Sequence, residues 1–146
     1  MNNKYMDIAL EEAYKAFSKN EVPVGAVIVK NGEILAKSHN LKAKTSNIMN
    51  HAEIIALNDA SNKNNDWRLI DCEMYITLEP CPMCASAIQQ SRIKKVYIGT
   101  RSNLNSNLEI IDKIFKNDEF YHKVDYEFIN DKRCSIILSD FFANKR

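Results

Sequence analysis

Hydrophobic and polar positions along the chain follow two periods, one typical of helices and one typical of strands. Apolar residues recur at near-helical spacing from Met6 to Phe17, with charged residues off that stripe, which predicts an amphipathic helix. Val22–Lys30 is rich in valine and isoleucine and predicts a buried strand. Asn31-Gly32 is a strong two-residue hairpin turn, so Glu33–Ser38 is predicted to return as the partner strand.

The same criteria predict an alternation of helices and strands over the rest of the chain. The elements are a polar loop over His39–Asn50, helices over His51–Asn62, Cys81–Ser91, Leu108–Lys116 and Asn130–Ala143, and strands over Met74–Leu78, Lys95–Thr100 and Val124–Ile129. Strands that alternate with helices indicate a layered α/β domain. The opening hairpin makes its sheet mixed rather than purely parallel.

Composition agrees with one globular domain spanning residues 1–146. Hydrophobic residues make up 45% and charged residues 27%, which is not the composition of a disordered or fibrous chain. The apolar stretches are too short to cross a bilayer, and the polar N-terminus is not a secretory signal, so we expect a cytoplasmic protein without a membrane partner. The net charge of +1 neither indicates nor excludes a nucleic-acid partner, because a local basic patch is enough for binding.

The cysteines and histidines suggest a metal site. Cys81 and Cys84 are three residues apart, so both sulfurs fall on one side of the first turn of a predicted helix, where the helix N-terminus favours thiolates. Two thiolates at this spacing form half of a tetrahedral zinc site. His51 stands at the start of another predicted helix and supplies a third ligand. Three protein ligands leave the fourth position open, which is the pattern of a catalytic zinc site.

Glu53 is the predicted acid and base of this site. It lies two residues after His51 on the same helical turn, so it can reach the open position without being a ligand. Zinc lowers the pKa of a bound water towards about 7, and a neighbouring carboxylate can then move protons between water, ring nitrogen and leaving amine.

The order of these residues also carries a resemblance. His51-Ala-Glu53 followed by Pro80-Cys81-x-x-Cys84 resembles the cytidine deaminase-like superfamily. Further stretches along nearly the whole chain resemble the bacterial tRNA-specific adenosine deaminase family: Glu21-Val-Pro-Val-Gly-Ala-Val, His51-Ala-Glu-Ile-Ile-Ala-Leu, Trp67-Arg-Leu-Ile, Tyr75-Ile-Thr-Leu-Glu-Pro-Cys, Ser91-Arg-Ile and Leu138-Ser-Asp-Phe-Phe.

The resemblance implies a fold, a reaction and a partner. The expected fold is a cytidine deaminase-like mixed sheet between helices, a three-layer α/β/α arrangement, with one zinc ion per chain. The expected reaction is hydrolytic deamination of adenosine to inosine at the wobble position of a tRNA anticodon loop, by a homodimer. The predicted substrate-binding residues are Asn40, which matches the base-contacting asparagine of the family, with Val22, Ala52, Arg101 and Ser102. Basic residues around these segments are the predicted phosphate contacts: Lys42, Lys44, Arg92 and Lys94.

Two loops depart from the family pattern, so the identity of the deaminated base stays open. Asn47–Asn50 stands where the family usually has Asp-Pro-Thr-Ala, and Ser102–Asn107 has neither the glycine nor the acidic residue of the family loop. A deaminase of a free base, nucleoside or nucleotide, such as guanine or cytosine, is therefore the alternative. A zinc-stabilised nucleic-acid-binding module without catalysis is the second alternative, against which Glu53 argues, since a structural site has no use for that carboxylate.

Overall fold

The structure, a computed structural model, describes residues 4–102 and 108–144. Its helices are α1 (Lys4–Ser18), α2 (Lys42–Thr45), α3 (Ala52–Asn64), α4 (Pro82–Gln90), α5 (Leu108–Phe115) and α6 (Lys132–Ala143). Its strands are β1 (Gly25–Lys30), β2 (Glu33–His39), β3 (Cys72–Leu78), β4 (Lys95–Thr100) and β5 (Asp125–Phe128). In the described part of the chain, no helix has the length and apolar character needed to span a membrane.

The five strands form one mixed sheet in the order β2-β1-β3-β4-β5. β1 pairs antiparallel with both β2 and β3, whereas β3, β4 and β5 run parallel. The predicted hairpin turn is present, with Asn31 at φ 50° and Gly32 at φ 80°, as a turn with two left-handed residues requires. The mixed α/β class predicted from the sequence is therefore confirmed.

Helices cover both faces of this sheet. On β1, Ala26 and Ile28 point into one core with residues of α3, α4 and α5, while Val27 and Val29 point into a second core with α1 and α6. A strand that is buried on both faces needs apolar residues at consecutive positions, which explains the continuous run of valine and isoleucine. The result is the three-layer arrangement expected from the sequence.

Several predicted boundaries differ from the structure by one to three residues, and one short helix was not predicted. The first strand begins at Gly25 rather than at Val22, because Pro23 has no N–H to donate and the Val24 N–H turns back to the Val22 carbonyl at 2.9 Å. The predicted polar loop contains the short helix α2. Its residues are all exposed and therefore carry no hydrophobic period that could have revealed it.

Candidate zinc and active site

The first turns of α3 and α4 bring His51, Cys81 and Cys84 together. The Nδ1 atom of His51 lies 3.8 Å from the Cys81 sulfur and 3.4 Å from the Cys84 sulfur, and the three ligand atoms all lie within 4.8 Å of one another. A tetrahedral centre with Zn–S of about 2.3 Å and Zn–N of about 2.0–2.1 Å requires a nitrogen–sulfur separation of roughly 3.6 Å. The donor set and its spacing therefore fit zinc.

Local sequence explains why these side chains sit at helix starts. Cys81 is the N-cap of α4, and Pro82 occupies the first helical position, where its missing N–H removes no helical hydrogen bond. His51 is the N-cap of α3 in an extended backbone conformation. Two ligands thus project from caps and the third, Cys84, from the first turn of α4.

The pKa values of the two thiols at the start of α4 are shifted in opposite directions. A hydrogen bond from the Cys84 thiol, together with contacts to His51 and a backbone N–H, lowers the pKa of Cys81 to about 4, although burial opposes this. The same hydrogen bond, reinforced by burial, raises the pKa of Cys84 far above its ordinary value. Hydrogen bonding to Cys81 in turn raises the pKa of His51, although burial opposes this. The pair therefore presents a thiolate at Cys81, the form that binds a metal.

Glu53 lies beside this cluster and is almost completely buried, with 4% of its surface exposed. Burial raises the pKa of its carboxyl to about 7, and the Cys84 thiol is one of its hydrogen-bond partners. A carboxyl with a pKa near neutrality can both accept and release a proton at physiological pH, which is what general acid–base catalysis requires.

His51, Glu53 and Cys81 lie at the wall of a cavity of about 610 Å³. Val22, Asn40, Lys42 and Ser102, all named from the sequence, line it together with His51, Glu53 and Cys81. The sequence analysis predicted no site role for the remaining lining residues: Glu21, Val24, Leu78, Glu79, Pro80, Pro82 and Ile110. A cavity of this size admits a small ligand or one nucleotide rather than a long stretch of chain.

Two buried carboxylates that the sequence analysis did not predict as site residues, Glu21 and Glu79, bind backbone N–H groups at the cavity wall. Glu21 accepts hydrogen bonds from the backbone N–H groups of Ala43 at 3.0 Å and Lys44 at 2.7 Å, and so anchors α2. Glu79 accepts one from the Ser102 N–H at 3.0 Å. The available signal was their position next to apolar runs, with Glu21 immediately before Val-Pro-Val and Glu79 between Leu78 and Pro80.

Ala52 and Arg101, the other two residues proposed for substrate contact, do not line the cavity in the described part of the chain. Asn40 Oδ1 accepts a hydrogen bond from the Ala52 N–H at 2.8 Å, and Ala52 is completely buried behind the cavity. Arg101 is exposed and is not among the cavity-lining residues of the described chain. Residues 103–107, which make up most of the divergent second loop, lie outside the described residues.

The predicted phosphate contacts fall into two groups. Lys42 lines the cavity and Lys44 is exposed on the same short helix. Arg92 and Lys94 follow the far end of α4, about 15 Å along its axis from Cys81 at 1.5 Å per residue. The Arg92 guanidinium lies 5.5 Å from the Trp67 ring. Contacts by this second group would require a ligand much larger than the cavity.

The remaining histidines and cysteines make contacts outside the His51, Cys81 and Cys84 cluster. His39 is buried and bonded to Glu12, and His122 lies 2.7 Å from the Ile93 carbonyl oxygen. Cys72 and Cys134 are buried in the two different cores on opposite faces of the sheet. Within the described residues, the candidate metal group consists of His51, Cys81 and Cys84.

Comparisons with known proteins agree with this chemistry. Residues 1–100 match the family described as the cytidine and deoxycytidylate deaminase zinc-binding region. A tRNA-specific adenosine deaminase of Aquifex aeolicus is 39% identical over 142 residues, which are 97% of this chain and 94% of that relative. One of Bacillus subtilis is 38% identical over 143 residues, 97% of this chain and 89% of that relative.

A solved structure has the same fold as this chain. It comes from a study of A-to-I editing by tRNA:A34 deaminases at the wobble position of transfer RNA, and it superimposes with a TM-score of 0.86 at 33% identity. The match covers 94% of this chain and 100% of that chain. The chain therefore belongs to the zinc-dependent cytidine and deoxycytidylate deaminase family, within which it groups with the tRNA-specific adenosine deaminases.

Proposed function

We propose that this enzyme deaminates adenosine to inosine hydrolytically at the wobble position of tRNA. The observation that carries the proposal is the buried Glu53 carboxyl beside the His51, Cys81 and Cys84 cluster at the wall of one cavity. Relatives that match almost the whole chain bear the name of this activity.

Each site residue has a proposed role. His51, Cys81 and Cys84 would hold one zinc ion, which would act as a Lewis acid and activate water for attack on the amino-bearing carbon. Glu53 takes the proton released by that water and delivers it first to the adjacent ring nitrogen. As the carbonyl forms, Glu53 takes the remaining proton of the added hydroxyl and passes it to the leaving amine, so that ammonia departs. Burial of Glu53 keeps its proton affinity close to that needed for both transfers.

The substrate contacts are proposed from the cavity wall. Because the Ala52 N–H fixes Asn40 Oδ1, the amide NH₂ group of Asn40 is the end that can donate to a base. Val22 and Ser102 line the space for the ring. Ala52 would act indirectly, through the N–H that fixes Asn40, and Arg101 would contact the RNA outside the cavity. A cavity for one nucleotide suits an unpaired loop base that is turned out of its stack.

The basic residues around the site would bind the phosphates of the RNA. Lys42 and Lys44 would contact phosphates next to the reacting nucleotide, and Arg92 and Lys94 would contact phosphates farther along the RNA. The binding of a polyanion also predicts salt dependence, with log K falling by roughly 0.7 per single-strand phosphate neutralised for each unit of log[salt]. A tRNA substrate also supports the predicted cytoplasmic location.

The expected homodimer is part of the proposal, and the outer surface of α3 and α4 supports it. A groove of about 340 Å³ there is lined by Ile54, Leu57, Ala87 and Trp67, among others. Trp67 is 57% exposed and, with the apolar residues of the groove, forms a contiguous exposed apolar surface of the kind that occurs at protein interfaces. Because these helices also carry the zinc ligands, the interface would lie close to the active site.

Light scattering at micromolar concentration tests the dimer. We expect a mass of twice 16.8 kDa for the wild type and of one chain for Trp67→Glu. Tyr14→Glu is the matched control, since Tyr14 is equally exposed at 57% but lies on α1, in the opposite helical layer. A wild-type mass of one chain would contradict the assembly.

The catalytic proposal is tested with an anticodon stem-loop RNA that carries adenosine at the wobble position. We expect inosine and ammonia in equal amounts, and Glu53→Gln should lower kcat by roughly 10²–10⁴ while zinc content stays at one per chain. Free guanine, cytosine, adenosine and nucleotides are assayed in parallel. Turnover of a free base without inosine in the RNA would refute the tRNA substrate, and zinc binding without any turnover would favour a non-catalytic module.

A further inference from the structure

The end of β2 lies between the catalytic helix α3 and the first helix of the chain. Side chains of a strand alternate between the two faces of its sheet. Ser38 and Asn40 accordingly point towards α3, and His39 points towards α1 on the opposite face. Three consecutive residues therefore connect two layers of the domain at the site.

Ser38 and Asn40 hold both backbone groups of Ala52. The Ser38 hydroxyl donates to the Ala52 carbonyl oxygen at 2.6 Å, and Asn40 Oδ1 accepts from the Ala52 N–H at 2.8 Å. Ala52 separates His51 from Glu53, so its N–H belongs to the peptide unit after the histidine and its carbonyl to the peptide unit before the glutamate. Both peptide planes between the zinc ligand and the proton-transfer group are thus fixed by β2.

His39 secures β2 from the other side. Its Nδ1 lies 2.9 Å from Glu12 Oε1, and its Nε2 lies 2.9 Å from the Lys19 ammonium nitrogen. A lysine ammonium can only donate, so Nε2 accepts, and Nδ1 therefore carries the hydrogen and donates to Glu12. His39 is 9% and Glu12 4% exposed, so this polar contact lies in the packed interface between α1 and β2.

The contact between His39 and Glu12 of α1 matters because of where β2 lies in the sheet. Within the described residues, β2 is an outer strand of the sheet and has a backbone partner, β1, on one side only. Side-chain contacts to α1 supply the support that an inner strand would obtain from a second neighbour. The carboxyl end of β2 is thus held by β1 along the sheet, by α3 on one face and by α1 on the other.

We propose that Ser38, His39 and Glu12 are positioning residues, which orient Glu53 relative to the zinc ligand His51 through the backbone of Ala52. The proposal rests on the proposed function for its kinetic readout. Displacement of a catalytic group by about 1 Å can cost roughly 100-fold in rate, and a partial displacement correspondingly less. None of the three residues lines the cavity, so substrate affinity should not depend on them directly.

Steady-state kinetics on the stem-loop RNA separates positioning from binding. We expect Ser38→Ala to lower kcat roughly tenfold with KM within about twofold of wild type and one zinc per chain, and Ser38→Thr, which restores the hydroxyl, to recover most of the loss. Glu12→Ala and His39→Leu should show the same split. Lys37→Ala, an exposed position on the same strand, should leave both constants unchanged.

Hydrogen exchange of the Ala52 amide provides a readout that needs no substrate. We expect Ser38→Ala and Glu12→Ala to accelerate exchange of this amide, and the nitrogen spectrum of wild-type His39 to show a hydrogen on Nδ1. Wild-type kcat together with wild-type Ala52 exchange in Ser38→Ala would overturn the proposal, even if His39→Leu did not fold. If the wild-type enzyme left RNA unchanged, the proposed function would fail, whereas the exchange experiment would still decide the positioning role.

Discussion

Asn40 is placed to do two separable things, and substitutions can distinguish them. Its Oδ1 atom accepts the Ala52 N–H at 2.8 Å, and its NH₂ group is the end available to a base in the cavity. Asn40→Ala removes both functions and leaves a buried backbone N–H without its acceptor, which costs about 1–3 kcal/mol of unfolding free energy. Asn40→Asp keeps an acceptor at the start of α3, where a negative charge is favourable, so we expect stability within about 1 kcal/mol of wild type.

The two variants should differ in stability but agree in activity. Both lack the NH₂ donor, and loss of about 1.4 kcal/mol of transition-state binding lowers kcat/KM tenfold, so each should fall at least tenfold on the stem-loop RNA. Urea unfolding and kcat/KM are measured on the same preparations, with zinc content as the control. Wild-type stability of Asn40→Ala would refute the capping role, and full activity of Asn40→Asp would refute the donor role.

Three further predictions concern the metal, the acid response and the packing of α1. Cys81→Ala and Cys84→Ala should each lose zinc by elemental analysis, and full occupancy in both would contradict the assignment. Burial raises the pKa of Glu12, but hydrogen bonds from its lysine and histidine partners outweigh this and hold the pKa below 4.5. Its contribution is therefore present at neutral pH and lost as pH falls through that lowered pKa, so Glu12→Gln should weaken the acid dependence of unfolding. Gly25→Ala would bring a methyl group within 1.9 Å of the Ala9 carbonyl oxygen and should destabilise the fold by at least about 1–3 kcal/mol in urea titration.

Local pattern predicted most elements of the fold because those elements are local. The Asn31-Gly32 turn depends on two residues that tolerate left-handed conformations, and β4 has its predicted bounds because its apolar run is flanked by polar residues. The helix α2 could not be predicted, since it is held by Glu21, more than twenty positions earlier in the chain. Its own four residues carry no signal.

The candidate site likewise contains residues that local sequence predicts and residues that it does not. The spacing of Cys81 and Cys84 and the pair His51 and Glu53 are readable because each pair lies within one helical turn, and the structure brings the two pairs together. Ser38 could not have been recognised, because its role depends on the Ala52 carbonyl fourteen positions later. A serine near a strand end has no distinctive local pattern.

The location of β2 at the edge of the sheet has a consequence for how the enzyme fails under stress. An outer strand opens locally at a lower free-energy cost than the strands inside the sheet. Such an opening would release Ser38 and Asn40 from Ala52 while β1, β3 and β4 remained paired. Inactivation should therefore precede global unfolding, so that mild urea abolishes turnover at concentrations where the circular dichroism of the sheet is still native.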